Sequence, residues 1–132
     1  PRGAIEADFE MRGYKLRLVA THFGLSMKER RQQLQKLLPC LEDREPDFTV
    51  LCADFNEWLP YSRVHRVLRR VLGEAPSVRT FPSRLTALSL DRIYASPLAT
   101  LVGIEAVATA ETRVASDHLP VVADFDLAAL GS

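Results

Sequence analysis

The stretch FTVLCADFN, residues 48–56, combines a short apolar run with polar groups at its end. Residues 48–53 are almost continuously apolar, which is typical of a central strand that is buried on both faces. The C-terminal end of such a strand lies where the sheet meets its loops. This strand would therefore deliver Asp54 and Asn56 to a loop in which they can contact a ligand. The stretch therefore predicts a layered domain with a functional site at the end of its central strand.

The preceding residues predict a hairpin and a helix that pack beside this strand. Residues 4–11 and 15–21 are strand-like runs joined by a short turn, and the second run shows the alternation of a strand. Residues 26–42 have a capping box followed by leucines at helical spacing. An interior proline costs roughly 3 kcal/mol, because it removes one backbone hydrogen bond and clashes one turn back. We therefore expect Pro39 to kink this helix or end it near Leu38.

The following residues predict a second helix and more strands. Pro60 suits the first turn of a helix that stops at Gly73. Its polar side is interpreted as a solvated face of the helix, made by Arg63, His65, Arg66, Arg69 and Arg70. A loop over 77–89 precedes predicted strands at 90–95, 101–109 and 120–125. This order predicts an α/β (α+β) layered sandwich around a mixed sheet with flanking helices.

Composition narrows the class of protein. The 132 residues are 47% hydrophobic and 26% charged, as in an ordinary globular domain, and 17 basic residues balance 17 acidic ones. Zero formal charge gives no global attraction to nucleic acid or to a membrane, and only a local basic face could supply one. Cys40 and Cys52 lack zinc spacing and are expected to be reduced. Since no apolar run approaches bilayer length and no signal-peptide pattern is present, the chain is predicted to be cytoplasmic.

Polar groups recur where predicted strands meet loops. Asp54 and Asn56 follow one strand, Asp91 begins another, and Asp117-His118 precede the last. Each group alone is better explained as turn chemistry, since Asp, Asn and Ser bond local backbone. Their ordered combination instead indicates a phosphoester-cleaving site. A Ser-His-Asp hydrolase is rejected, because adjacent side chains on an extended chain point in opposite directions.

Thr21-His22, Ala53–Asn56, Leu90–Ile93 and Ser116–Pro120, taken in this order, resemble the C-terminal half of the endonuclease/exonuclease/phosphatase superfamily, the DNase-I-like proteins. The resemblance runs from about Pro1 to Phe125. It implies the second half of a four-layer αββα fold, in which two packed sheets are flanked by helices. It also implies Mg²⁺ or Mn²⁺ as cofactor and in-line attack of water on phosphorus.

The resemblance also implies a role for each matched residue. His118 would contact the scissile phosphate or activate water, and Asp91 would orient that imidazole. Asp54 would position or deprotonate the water, while Asn56 and His22 would bind phosphate oxygens. Asp117 matches the metal-proximal carboxylate near the C-terminus of the family.

Two departures from the family pattern are visible. Ala53 replaces the usual glycine, which is a tolerable change. The family's N-terminal half, with its metal-binding glutamate, has no counterpart, and neither Glu6 nor Glu10 matches that glutamate. We therefore interpret residues 1–132 as a single, partial domain with weak or absent activity alone. Apolar sheet surface should then lie uncovered, and we expect it to support a homodimer.

Several interpretations stay open at this stage. Trp58 is either core filler or a wall of the substrate groove, and Arg84 either is solvated or meets an anionic substrate. His22 is a hydrogen-bonded edge residue in the alternative interpretation, and Asp91 forms an ordinary ion pair with Arg92. The substrate is a nucleic acid, a sugar phosphate or a phospholipid headgroup. A different class of function, a catalytically silent interaction module that retains the fold, is the alternative.

Overall fold

The structure is a computed structural model that describes residues 3–131. Within this range, a mixed sheet has the strand order β1-β2-β3-β5-β4, and β6 pairs with β7 in a second, antiparallel sheet. The strands are β1 (Ala4–Met11), β2 (Tyr14–His22), β3 (Phe48–Asp54), β4 (Gly73–Glu74), β5 (Asp91–Ser96), β6 (Leu101–Ala106) and β7 (Val121–Phe125). The predicted mixed sheet in a layered α/β fold is thus confirmed.

Helices connect these strands. They are α1 (Met27–Glu42), α2 (Arg63–Val71) and α3 (Thr112–Ala115), with short 3₁₀ segments at Leu98–Thr100 and Leu127–Gly131. Ser26 caps α1 by accepting a hydrogen bond from the Glu29 backbone, and Ser62 caps α2 in the same way. None of the helices within residues 3–131 is long and apolar enough to cross a bilayer.

The central strand β3 divides the core into two layers. Leu51 and Phe55 pack on the α1/α2 side of the sheet, whereas Phe48 and Val50 pack toward the β6/β7 side. This division follows from the period of two in a strand, which sends alternate side chains to opposite faces. Asp54 has the same parity as Phe48 and therefore belongs to the face that looks toward the second sheet.

Of the two outcomes expected at Pro39, the end of α1 near Leu38 is wrong, because the helix continues through Pro39 to Glu42, and the kink stays a prediction. Leu37 and Leu41 are both buried in the core, so ending the helix early would remove Leu41 from it. Tertiary packing thus offsets the local cost of the proline. The predicted role of Pro60 is also wrong, since α2 begins at Arg63 after the Ser62 cap.

His65 was assigned to a solvated face, and this is wrong, because its side chain is fully buried. Its Nδ1 lies 2.6 Å from the Tyr94 hydroxyl, which in turn donates to Glu74 at 2.5 Å. Arg92 donates to the same carboxylate at 2.8 Å, so it points away from Asp91 and forms no ion pair with it. Burial, reinforced by the positive charge of Arg92, lowers the pKa of His65 to about 4.

One face of β1 is apolar and largely exposed. Ile5, Phe9 and Met11 of β1 are 72%, 43% and 48% exposed. Phe9 pairs with Leu16 of β2, a core residue on the β6/β7 side, so the apolar β1 residues share that face. The second sheet covers β3 and β5 and leaves β1 open to solvent.

Candidate active site

Strand register places three polar groups in one row across the large sheet. His22 pairs with Asp54 between the parallel strands β2 and β3, and Asp54 pairs with Asp91 between the antiparallel strands β3 and β5. Paired residues in a sheet point to the same face. The three side chains therefore stand side by side at one end of the sheet, which is where sequence analysis expected polar groups to meet.

His118 reaches this row from the segment before β7. Its Nδ1 lies 2.7 Å from Asp91 Oδ2, and its Nε2 lies 3.6 Å from Asp54 Oδ2. Since the carboxylate of Asp91 accepts, Nδ1 carries a proton, and the ring presents Nε2 toward Asp54. This arrangement is the carboxylate–imidazole pair that the resemblance implied for Asp91 and His118.

Burial by itself would lower the pKa of His118. The hydrogen bond to Asp91 and the negative charges of Asp91, Asp54 and Asp117 act in the opposite direction and outweigh it. The net result is a pKa raised above the ordinary histidine value. Near neutral pH, the imidazolium form is therefore more populated here than on a free histidine.

Sequence analysis missed Thr80, which holds Asp91 from the other side. Its hydroxyl donates to Asp91 Oδ2 at 2.5 Å, and its side chain is fully buried. Its backbone carbonyl accepts from Leu119 at 2.8 Å, next to His118. Phe81 packs on the His118 ring at 4.9 Å between centroids. The sequence shows Thr80 and Phe81 only as a β-branched and an aromatic residue in a loop without periodicity. Their contacts with distant residues cannot be predicted from such a local pattern.

Asp54 is shared by two histidines. His22 Nε2 lies 3.1 Å from Asp54 Oδ2, on the opposite side from His118. The backbone N–H of Asn56 donates to Asp54 Oδ1 at 2.9 Å, and the Asn56 amide donates to Phe23 O at 2.6 Å. Asn56 has φ of 50°, a left-handed conformation that asparagine tolerates better than most residues. The turn after β3 therefore fixes both side chains.

An open pocket of about 600 Å³ is lined by His22, Asp54, Asn56, Asp91 and His118. Trp58 is 68% exposed and lines it together with Leu25, so Trp58 forms a wall of the pocket and is not core filler. Asp117 also lines the pocket and is exposed. Arg84 is exposed but is absent from the lining, so the structure does not bring it to the other predicted residues.

The donor chemistry of the pocket fits a divalent cation. Asp54, Asp91 and His118 each offer one ligand atom, and these atoms lie within 4.8 Å of one another. One of these atoms is already engaged twice, since Asp91 Oδ2 accepts hydrogen bonds from both Thr80 and His118. The exposed Asp117 carboxylate accepts one long hydrogen bond of 3.4 Å, from Ser116, and is freer to bind an ion. Mg²⁺ and Mn²⁺ favour such oxygen ligands.

Solved structures with the same fold cover nearly the whole chain. An endonuclease/exonuclease/phosphatase from Bacteroides vulgatus superposes with a TM-score of 0.78 at 22% identity, over 95% of this chain and 55% of that one. A mannosyl-6-phosphatase from Bacteroides thetaiotaomicron gives 0.71 at 20% identity, over 92% and 55% of the two chains. The human Nocturnin catalytic domain with bound sulfate gives 0.71 at 21% identity, over 95% and 52%. The predicted resemblance to this superfamily is confirmed in the fold.

Sequence comparison finds relatives that are longer than this chain. The uncharacterized protein YbhP of Escherichia coli K12 is 31% identical over 126 residues, which is 89% of this chain and 49% of that protein. YbhP of Shigella flexneri matches equally well. The chain thus spans about half the length of the curated relatives it matches. No protein-family profile matches it.

Proposed function

We propose that this chain carries the reacting edge of a metal-dependent phosphoesterase, which uses an activated water to hydrolyse phosphodiester or phosphomonoester bonds. The observation that supports it most directly is the position of Asp54 Oδ2, which lies 3.1 Å from His22 Nε2 and 3.6 Å from His118 Nε2. The Asp54 carboxylate can accept a proton from a nucleophilic water. The two imidazole rings beside it can donate hydrogen bonds to an anionic substrate.

Asp54 is the proposed base. A water against this carboxylate would give up its proton to Asp54 as its oxygen bonds to phosphorus. The bond from phosphorus to the leaving oxygen then breaks, and that oxygen takes a proton from solvent. Because the Asn56 backbone N–H and the neighbouring histidines hold the Asp54 carboxylate, the acceptor is fixed before substrate binds.

His118 is proposed to stabilise charge on the phosphate. Asp91 holds its Nδ1–H, so a protonated ring would donate Nε2–H to a non-bridging oxygen. His22 and the second Asn56 amide hydrogen would donate to other oxygens. Asp117 would hold the cation, Mg²⁺ or Mn²⁺, which when bound supplies positive charge to the phosphate oxygens. Trp58 would contact the remainder of the substrate.

The alternative from another class is a catalytically silent interaction module. The hydrogen bonds that already occupy Asp91 Oδ2 and Asp54 Oδ1 favour it, because they satisfy these acceptors without a ligand. The two proposals predict different effects of removing the His118 imidazole on turnover. A catalytic site loses turnover, whereas a silent module has none to lose.

The test is hydrolysis of a bis-nitrophenyl phosphate diester and a nitrophenyl phosphate monoester, with Mg²⁺, with Mn²⁺ and with chelator. We expect His118→Asn and Asp54→Asn each to lower the rate by roughly 10²–10⁴-fold. Asp124→Asn removes an exposed carboxylate on β7, outside the pocket, and should leave the rate unchanged. Turnover that is insensitive to His118→Asn contradicts the proposal. Absence of turnover under every condition, both in this chain and in a chain that restores the family's N-terminal half, favours the silent module.

A further inference from the structure

Large apolar side chains protrude beside the candidate site on two connections. We call this set the apolar rim, and it consists of Leu25, Met27, Trp58, Leu59 and Tyr61. Their exposed fractions are 75%, 60%, 68%, 71% and 79%. Leu25 and Met27 follow β2, and the other three follow β3, the two strands that end in His22 and Asp54. The rim therefore surrounds one side of the pocket mouth.

A buried ion pair holds the two connections together. Arg30 Nε donates to Glu57 Oε1 at 2.7 Å, and its Nη1 donates to the Gly24 and Leu25 carbonyls at 3.2 and 2.6 Å. Arg30 and Glu57 are each only 8% exposed. Side chains on a clamped backbone lose less freedom when they bind than side chains on a mobile loop. The clamp thus presents the rim as a fixed surface.

Basic side chains lie directly beside the rim. Met27, Leu59 and Tyr61 line a cleft of about 240 Å³ together with Arg31, Arg63 and Arg66. Arg63 and Arg66 are exposed on α2, and their guanidinium groups have no hydrogen-bond or ion-pair partner among the described residues. The carboxylate that lines the cleft, Glu57, is neutralised by Arg30. The surface around the cleft is therefore apolar and positively charged.

We propose that the apolar rim and these arginines dock on an anionic phospholipid bilayer, and that the pocket acts on a phosphate ester presented at that surface. The second part rests on the proposed phosphoesterase function. Apolar and aromatic tips that enter the headgroup region, with cations at the level of the lipid phosphates, are the arrangement of interfacial membrane binding. Leu25 and Trp58 line both the rim and the pocket, so docking brings the pocket mouth to the lipid phosphates.

Trp58 makes the surface directly observable, since the chain has one tryptophan. We would record its emission in chelator, with vesicles of phosphatidylcholine alone and of an equimolar mixture with phosphatidylglycerol. The expected result is a blue shift and protection from acrylamide quenching with the anionic vesicles, reversed by high salt. Absence of a shift with both vesicles, or an equal shift with both, overturns the proposal.

Matched variants locate the contact. Leu59→Ser/Tyr61→Ser should weaken vesicle partitioning by roughly tenfold or more. Arg63→Gln/Arg66→Gln should weaken it by about 30-fold, since each basic residue near an anionic surface contributes a factor of about five. Lys36→Gln/Arg44→Gln removes equal charge away from the rim, and Ile5→Ser removes an equally exposed apolar side chain from the open hairpin face. Both should partition as the unmodified chain does.

Two controls distinguish a loss of vesicle binding from a loss of folding and from a loss of catalysis. Each variant must retain the melting temperature of the unmodified chain, and the rim variants should hydrolyse a soluble nitrophenyl ester at an unchanged rate. Loss of partitioning in the control variants, or none in the rim variants, would refute the docking surface. Vesicle binding without hydrolysis of any ester, even by a chain that restores the family's N-terminal half, refutes only the phosphoesterase. Hydrolysis of soluble esters without vesicle binding refutes only the docking surface.

Discussion

Replacing Asp91 by asparagine should lower the pKa of His118. His118 and Asp91 are 23% and 21% exposed, and their contact of 2.7 Å is one of the influences that raise this pKa. A hydrogen bond to a charged group contributes roughly 1.5–3 kcal/mol, and one pKa unit corresponds to about 1.4 kcal/mol. Removing the charge should therefore lower the pKa by about one to two units.

The measurement is an NMR titration of the imidazole C–H signals. The chain has 3 histidines, and a His118→Asn sample identifies the signal of interest. Asp117→Asn provides the control, because Asp117 is exposed and acts on His118 only through its charge. That variant should lower the pKa less than Asp91→Asn does. An unchanged pKa in Asp91→Asn would refute the assignment of Asp91 as the group that holds the imidazole.

The contact between His118 and Asp91 should also make the free energy of unfolding depend on pH. Because the folded-state pKa of His118 is raised, its contribution to the free energy of unfolding is fully present below about pH 6.5. The contribution is lost as the pH rises through the folded-state pKa. In Asp91→Asn this contribution should become smaller, and denaturant unfolding at several pH values detects the difference.

Three further predictions concern other parts of the molecule. Thr80→Val should raise the pKa of His118, because Asp91 loses its other donor, and should lower the free energy of unfolding by about 1–3 kcal/mol; a lowered pKa contradicts this. The free energy of unfolding should fall by roughly 3 kcal/mol between about pH 6.5 and pH 4 because burial lowers the pKa of His65 to about 4. This part of the pH dependence should vanish in His65→Leu, and equal slopes in denaturant titrations would exclude it. We propose that the chain dimerises through the open face of β1, so light scattering at high concentration should show a dimer that Phe9→Lys converts to monomer; a monomeric unmodified chain argues against that contact.

Features that depend on local pattern could be predicted from the sequence. The hairpin and α1 have periods of two and 3.6 residues, β3 is a continuous apolar run, and the structure confirms each of them. The convergence of Asp54, Asp91 and His118 was also predictable, because each group stands where a strand meets a loop. Their catalytic and metal-binding roles stay predictions, since the comparisons establish the fold and not the chemistry.

Features that depend on distant contacts could not be predicted in this way. Pro39 stays helical because Leu41 is buried in the core beyond it, and His65 is buried because Tyr94 comes from another element to meet it. Thr80 acts on Asp91 through a loop without periodicity. In each case a tertiary interaction overrides the local signal, and local signals are all that one sequence displays.

The row His22, Asp54 and Asp91 ties the assembly of the site to the order in which the chain folds. Asp54 and Asp91 are far apart along the chain, and their alignment requires the closing of long loops on both sides of β3. A slip of one residue in either pairing would turn a polar side chain to the α1/α2 face. The site therefore cannot form in a partly folded chain, and affinity for an anion should appear during refolding together with hydrogen-exchange protection of β3.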